Sequence, residues 1–142
     1  MNTMLEKKVE RGVKCVEQVT KGTKTVLLVD DEEVVLEVGK ELLGAVGYRV
    51  IIARDGKEAI DVYRKHQKDI DFVILDMVMP IMGGGEAYDR MKEINPGIIV
   101  LLSSGYSIDG EATEILKRGC NGFIQKPFNM NDLTERIKEV TV

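Results

Sequence analysis

The chain has 142 residues, which is enough for one domain with a hydrophobic core and too few for two ordinary domains. Its net charge of -4 argues against general nucleic-acid binding, which needs a basic face. No apolar run is long enough to predict a membrane span, and the N-terminus is too charged for a signal peptide. Cys15 and Cys120 lie far apart and His66 is the only histidine, so the sequence indicates reduced thiols in a cytoplasmic protein.

Residues 1–24 differ in pattern from the rest of the chain. Their apolar residues recur at helical spacing among charged residues, at Leu5, Val9, Val13 and Val16. This spacing predicts an amphipathic helix, which Gly12 weakens, and the alternative is a frayed leader without fixed structure. We therefore interpret 1–24 as a leader or linker and 25–142 as the domain.

From residue 25 onward, short apolar runs alternate with amphipathic helical patterns. The apolar runs are typical of strands buried on both faces and lie at 25–29, 49–53, 71–75, 98–102 and 122–125. The helical patterns lie at about 32–46, 55–67, 86–94, 108–118 and 129–140, the last with Asn129 as a candidate N-cap. Five such units predict an α/β, doubly wound three-layer sandwich with a parallel sheet. In such sheets the site lies at the carboxyl ends of the strands.

Polar residues follow four of the five predicted strands. In strand order they are Asp30 and Asp31, then Asp76, then Ser103 and Ser104, then Lys126. Clustered carboxylates repel one another, and a hard divalent cation such as Mg²⁺ relieves that repulsion. A cation and a lysine beside a carboxylate suit a phosphoryl group, so this set predicts phosphoryl transfer to Asp76.

Each of these residues alone has a simpler explanation. Asp30 and Asp31 could cap a helix, Asp76 could be a turn residue, and Lys126 could be a solvated surface lysine. Their joint placement at strand ends favours the functional interpretation. The run Gly83–Gly85 is no phosphate-binding loop, because no Gly-Lys-Ser/Thr follows, and it is predicted to give the loop after Asp76 its freedom.

The site residues lie within four motifs: Leu-Leu-Val-Asp30-Asp31-Glu32-Glu33, Leu75-Asp76-Met-Val-Met79-Pro80, Leu-Leu-Ser-Ser104-Gly105 and Gln-Lys126-Pro127-Phe128. Together these motifs resemble the signature set of response-regulator receiver domains of two-component signalling. The resemblance covers about residues 25–140 and is strongest to receivers of hybrid sensor histidine kinases. It implies a flavodoxin-like (βα)5 fold with strand order 2-1-3-4-5.

The resemblance also implies a role for each site residue. Asp76 would be the phosphoacceptor, and Mg²⁺ would be held by Asp30, Asp31, Asp76 and the backbone carbonyl of Val78. Lys126 would contact a phosphoryl oxygen and form a cis bond to Pro127. Ser104 would bind the phosphoryl group and move with the aromatic switch residue Phe123, although Ser103 is a neighbouring candidate. Val78 and Tyr106 occupy positions that tune attack by water, and neither activates water well, so slow autodephosphorylation is predicted.

The implied partners are a histidine kinase or phosphotransfer protein as donor and a downstream protein at the fourth helix, fifth strand and fifth helix. Homodimerisation on phosphorylation is left open, as is an origin within a hybrid kinase. The domain would catalyse only its own phosphorylation and slow dephosphorylation. Three other functions are alternatives. A haloacid-dehalogenase-like phosphatase would need Asp where Val78 stands, a degenerate receiver would lack a site residue, and the third alternative is a flavodoxin-like FMN protein.

Overall fold

The computed structural model describes residues 24–106 and 110–141. The strands are β1 (Thr25–Val29), β2 (Arg49–Ala53), β3 (Phe72–Asp76), β4 (Val100–Ser104) and β5 (Gly122–Gln125). The helices are α1 (Glu33–Ala45), α2 (Gly56–His66), α3 (Gly84–Ile94), α4 (Gly110–Lys117) and α5 (Met130–Thr141). The amphipathic helix predicted within residues 1–24 lies outside the described residues, and the domain boundary there stays a prediction.

The five strands form one parallel sheet in the order β2-β1-β3-β4-β5. This order confirms the predicted doubly wound fold and places β3 at the centre. The register pairs Val29 of β1 with Leu75 of β3, and Asp76 of β3 with Ser103 of β4. The residues that follow β1 and the last residues of β3 and β4 therefore meet at one edge of the sheet.

Alternating side chains of the strands divide the core into two layers. Val73 and Leu75 of β3 pack into a cluster with residues of α2, α3 and α4. Phe72 and Ile74 of the same strand pack into a second cluster with residues of α1 and α5. All five residues of β3 are buried, as expected for a strand covered on both faces.

Side-chain caps fix the starts of two helices on the sheet. Asp55 Oδ1 accepts a hydrogen bond from the Glu58 N–H at 2.7 Å, which opens α2. Asn129 Oδ1 accepts one from the Asp132 N–H at 2.8 Å, which confirms Asn129 as the cap of α5. Gly47 follows α1 with a φ of 100°, a left-handed conformation that glycine adopts without steric cost.

Among the boundaries that differ from those predicted are the end of the fourth strand and the start of the third helix, which both lie near the site. The fourth strand runs from Val100 to Ser104 rather than from 98 to 102, because Ser103 and Ser104 pair with β5 instead of leaving the sheet. The glycine run also begins α3 and is not a free loop. A Cβ on Gly84 would lie 2.6 Å from the carbonyl oxygen of Asp76, so this glycine permits close approach rather than flexibility.

Candidate functional site

Three carboxylates meet where β1 and β3 end. Asp30 and Asp76 are buried and Asp31 is exposed, and each offers an oxygen within 4.8 Å of the others. The Asp30 N–H donates to the Ala53 carbonyl, which continues the β1–β2 pairing, and Asp30 Oδ1 accepts from the Glu32 N–H at 3.0 Å. Asp30 is therefore held in the site and does not cap α1, whose N-cap is Glu32.

Lys126 brings the positive charge of the site from the end of β5. Its Nζ lies 2.9 Å from Asp30 Oδ2 and 3.3 Å from Asp76 Oδ1, with only 14% of the side chain exposed. The Lys126 N–H donates to the Ser104 carbonyl at 2.6 Å, and the Lys126–Pro127 peptide bond is cis. Backbone pairing with β4 places Lys126 at the edge of the sheet from which its side chain reaches the two carboxylates.

One lysine does not neutralise three carboxylates, and the pKa values reflect this. Burial, followed by the charge of Asp30, raises the pKa of Asp76 to about 6, against the opposing effects of Lys126 and the Val78 N–H. Burial disfavours the charged form of Lys126, but the hydrogen bond to Asp30 and the charge of Asp76 outweigh it and raise the pKa of Lys126. A further positive charge would stabilise the site, and a set of carboxylate oxygens suits a hard divalent cation such as Mg²⁺.

The two serines of β4 lie on opposite faces of the sheet. Ser103 is the register partner of Asp76 and shares a face with Leu101, whereas Ser104 shares the face of Leu102. Ser104 is 3% exposed, and its Oγ accepts a hydrogen bond from the Tyr106 N–H at 3.1 Å. Ser104 would therefore have to move to bind a group on Asp76, so the choice between the two serines stays a prediction.

Phe123 shares its face of the sheet with Ser104. It pairs in register with Leu102, two residues before Ser104, and is half-buried against the cluster formed by α2, α3 and α4. A rearrangement of Ser104 toward the site would occur next to this ring. This placement on one face is consistent with the predicted coupling, and the switch role itself stays a prediction.

A cleft of about 700 Å³ opens above the carboxylates. Val34, Val35 and Val38 of α1 form an apolar wall on one side. Val78 and Tyr106 line the same cleft and are 60% and 69% exposed. The phosphoacceptor candidate is thus reached through an opening that carries apolar groups.

Glu32 is a residue of the cleft to which the sequence assigned no role. Its Oε1 lies 3.8 Å from Lys126 Nζ, and its side chain is 66% exposed at the mouth of the cleft. It follows Asp30 and Asp31 directly in one of the motifs, but nothing in the pattern indicated that it would face the lysine of β5.

Comparison with known proteins gives a consistent result. The response regulator receiver domain family matches residues 26–138. The sensor kinase CckA of Brucella abortus is 34% identical over 135 residues, which are 95% of this chain and 14% of that kinase. The receiver domain of the hybrid histidine kinase CckA superposes with a TM-score of 0.69 at 30% identity, covering 83% of this chain and 99% of that one. CheY in the CheX-CheY-BeF3-Mg²⁺ complex of Borrelia burgdorferi superposes with a TM-score of 0.80 at 29% identity, covering 84% and 90%.

The chain belongs to the response regulator receiver domain family. Its members are phosphoacceptor signalling switches rather than classical enzymes, and the similarity to a hybrid sensor kinase agrees with the resemblance in the motifs. Within residues 24–106 and 110–141, no helix is long and apolar enough to span a membrane.

Proposed function

We propose that the domain accepts a phosphoryl group on Asp76 from a phosphohistidine of a histidine kinase or phosphotransfer protein, with Mg²⁺ bound beside it. The observation that carries this proposal is the placement of Lys126 against Asp30 and Asp76, within a group of three carboxylates. Asp30, Asp31, Asp76 and the carbonyl of Val78 would hold the metal. Bound Mg²⁺ would neutralise charge on the carboxylates and on the phosphoryl oxygens.

The proposed step is an in-line displacement. A carboxylate oxygen of Asp76 attacks phosphorus, the bond from phosphorus to the imidazole nitrogen breaks, and its electron pair returns to the ring. Lys126 turns its ammonium to a phosphoryl oxygen, since it already contacts Asp76 at 3.3 Å. The site thus supplies position and positive charge, which is most of what phosphoryl transfer requires.

The apolar wall of the cleft supports a protein as the donor. Val34 and Val38 are 70% and 47% exposed on α1, beside the opening to Asp76. Burying these valines against an apolar helix would favour association, whereas a small phosphodonor would not cover them. The donor would therefore dock on α1 with its phosphohistidine pointing into the cleft.

The output would be a change in protein–protein interaction. Phosphorylation would favour a state in which Ser104 binds the phosphoryl group and Phe123 follows it, which alters the surface formed by α4, β5 and α5. A downstream protein, or a second copy of the domain, would bind that surface. We place this activity in the cytoplasm and assign residues 25–142 to the receiver domain, with 1–24 as its leader.

The test is phosphotransfer to the purified domain in the presence of Mg²⁺, comparing wild type with Asp76→Ala. Labelling should be lost in Asp76→Ala and kept in Asp61→Ala, which removes a surface carboxylate that pairs with Arg64 on α2. Chelation of Mg²⁺ should abolish labelling of wild type. Equal labelling of Asp76→Ala and wild type would overturn the proposal.

The phosphatase alternative gains no support from the site. An enzyme that hydrolyses phosphoesters through an aspartyl phosphate needs an acid two residues after the nucleophile, where this chain has the exposed Val78. Turnover of a phosphoester substrate by the domain would favour that alternative.

A further inference from the structure

The charges around the cleft do not balance even with a metal bound. Asp30, Asp31 and Asp76 contribute three negative charges, and Glu32 contributes a fourth at the mouth. Lys126 and one divalent cation together supply three positive charges. The remaining charge of minus one corresponds to Glu32, which is not among the residues proposed to hold the metal.

We propose that Glu32 is a specificity residue that disfavours small, free phosphodonors at this site. The inference rests on the proposed function, because it concerns the same transfer to Asp76. A small donor is an anion, and the Glu32 carboxylate in the lining of the cleft would repel it as it approaches Asp76. A protein donor gains contact with the exposed valines of α1, and that contact offsets the repulsion.

The backbone of Glu32 makes two hydrogen bonds that do not involve its side chain, so the side chain can be replaced without losing them. The Glu32 N–H donates to Asp30 Oδ1 and the Glu32 carbonyl accepts from the Leu36 N–H. Both bonds are kept in Glu32→Gln, which removes the charge and retains the shape. The contact of Glu32 with Lys126 is long, at 3.8 Å, and largely exposed, so its loss should change stability little.

The first measurement is the rate of Asp76 phosphorylation by small donors of different charge. At low salt and saturating Mg²⁺, Glu32→Gln should react about threefold faster than wild type with phosphoramidate, a monoanion, as Coulomb's law gives for a unit charge several ångströms away. With acetyl phosphate, a dianion, the gain should be about eightfold, because the effect scales with donor charge. Phosphate-affinity electrophoresis separates and quantifies the phosphorylated form.

High salt and a matched variant distinguish the electrostatic effect of the Glu32 carboxylate from other effects of the substitution. Near 1 M salt the Debye length falls to about 3 Å, and the difference between Glu32→Gln and wild type should nearly vanish. Glu37→Gln makes the same charge change on the exposed side of α1, away from the cleft, and should alter either rate less than about twofold.

A second measurement does not depend on turnover. Calorimetric titration with Mg²⁺ alone should show weaker binding to Glu32→Gln, by about the same eightfold, since the carboxylate attracts the cation that it helps to neutralise. The variant should therefore bind the cation less tightly and react faster with anionic donors.

The outcomes are distinguishable from failure of the proposed function. If neither a phosphohistidine protein nor a small donor labels Asp76 in wild type or in Glu32→Gln, the proposed function fails. If Asp76 is labelled but the two proteins react equally with acetyl phosphate at low salt, or the gain is no larger for the dianion than for the monoanion, Glu32 has no such role.

Discussion

Asp76 carries a stability penalty in the metal-free protein. Burial and the charge of Asp30 raise its pKa to about 6, from an ordinary value of 3.8. The folded state therefore binds the proton more tightly than the unfolded state does. The stabilisation from protonated Asp76 is complete below about pH 4 and is lost as pH rises through about 6.

We expect this penalty to appear in Asp76→Asn. Without metal, the variant should gain stability over wild type as pH rises from about 4 to 7, by up to about 3 kcal/mol. Urea denaturation followed by circular dichroism measures the difference. Saturating Mg²⁺ should remove most of it, because the cation stabilises the ionised carboxylate. If the difference in unfolding free energy between the variant and wild type is the same at pH 4 and pH 7, the penalty does not come from ionised Asp76.

Val78 and Tyr106 line the cleft beside Asp76 and are the residues predicted to tune attack by water. We expect neither side chain to activate water well, so phosphorylated Asp76 should be long-lived. Val78→Asn introduces an amide that can orient water, and it should shorten the half-life by about tenfold.

Loss of phosphate after removal of the donor measures that half-life. Val46→Asn is the control, because Val46 is an exposed valine that does not line the cleft. A very short wild-type half-life, or an unchanged half-life in Val78→Asn, would argue against slow hydrolysis as a property of these two positions.

The start of α3 packs closely against the end of β3. Gly84 lies so close to β3 that an added Cβ would be 2.6 Å from the Asp76 carbonyl oxygen and 2.7 Å from the Met77 Cα. These are backbone atoms, which cannot move aside without displacing Asp76. Gly84 therefore couples the position of a helix to the position of the phosphoacceptor.

A pair of glycine substitutions tests this coupling. Gly84→Ala should destabilise the fold by about 2 kcal/mol, since overpacking forces the backbone to shift. Gly44→Ala should stabilise it by about 0.5–1 kcal/mol, because Gly44 lies in α1 and its Cβ would meet nothing within 4 Å. Urea midpoints compare the two, and equal effects would show that the approach of α3 to β3 is not tight.

For the molecule as a whole, the two core layers should respond differently to phosphorylation. Ser104 and Phe123 face the layer that contains α2, α3 and α4. α4 has eight residues and is the shortest of the described helices, with Ala112 and Ile115 as its buried residues. A movement of Ser104 should therefore change the conformation of α4 and β5 more than that of α2.

Hydrogen exchange measures this response. With Mg²⁺ and beryllofluoride as a phosphoryl mimic, we expect altered exchange in peptides that cover α4 and β5 and unchanged exchange in α2. The same ligands should have no effect on Asp76→Ala. A uniform change across all five helices would indicate general stabilisation by ligand binding and not a switch.

The sequence predicted most of this architecture because its signals were local. Short apolar runs marked β1, β2 and β5 with the bounds that the structure shows, and Asn129 marked the start of α5. The prediction for the end of β4 was wrong, because Ser103 and Ser104 are polar residues that stay in the sheet by pairing with β5 and, for Ser103, also with β3. The polar or apolar character of residues along the sequence does not reveal which strands pair.

The site was predictable in its members but not in all its contacts. Because parallel strands end at the same edge of the sheet, Asp30, Asp76 and Lys126 lie together as expected. The contact of Glu32 with Lys126 depends on side-chain conformation across the sheet, which no spacing encodes. Ile81 likewise adopts a φ of 72°, which is rare for a β-branched residue and has no signal in the sequence.

The exposure of Val78 and Tyr106 has a consequence for how such a domain can diversify. Both residues border the phosphoacceptor, yet neither belongs to the two core clusters. Substitutions at exposed positions outside the core usually change folding stability by no more than about 0.5 kcal/mol. If Val78 and Tyr106 set the lifetime of the phosphoryl group as predicted, substitutions there would change the duration of the signal and leave the stability of the fold nearly unchanged.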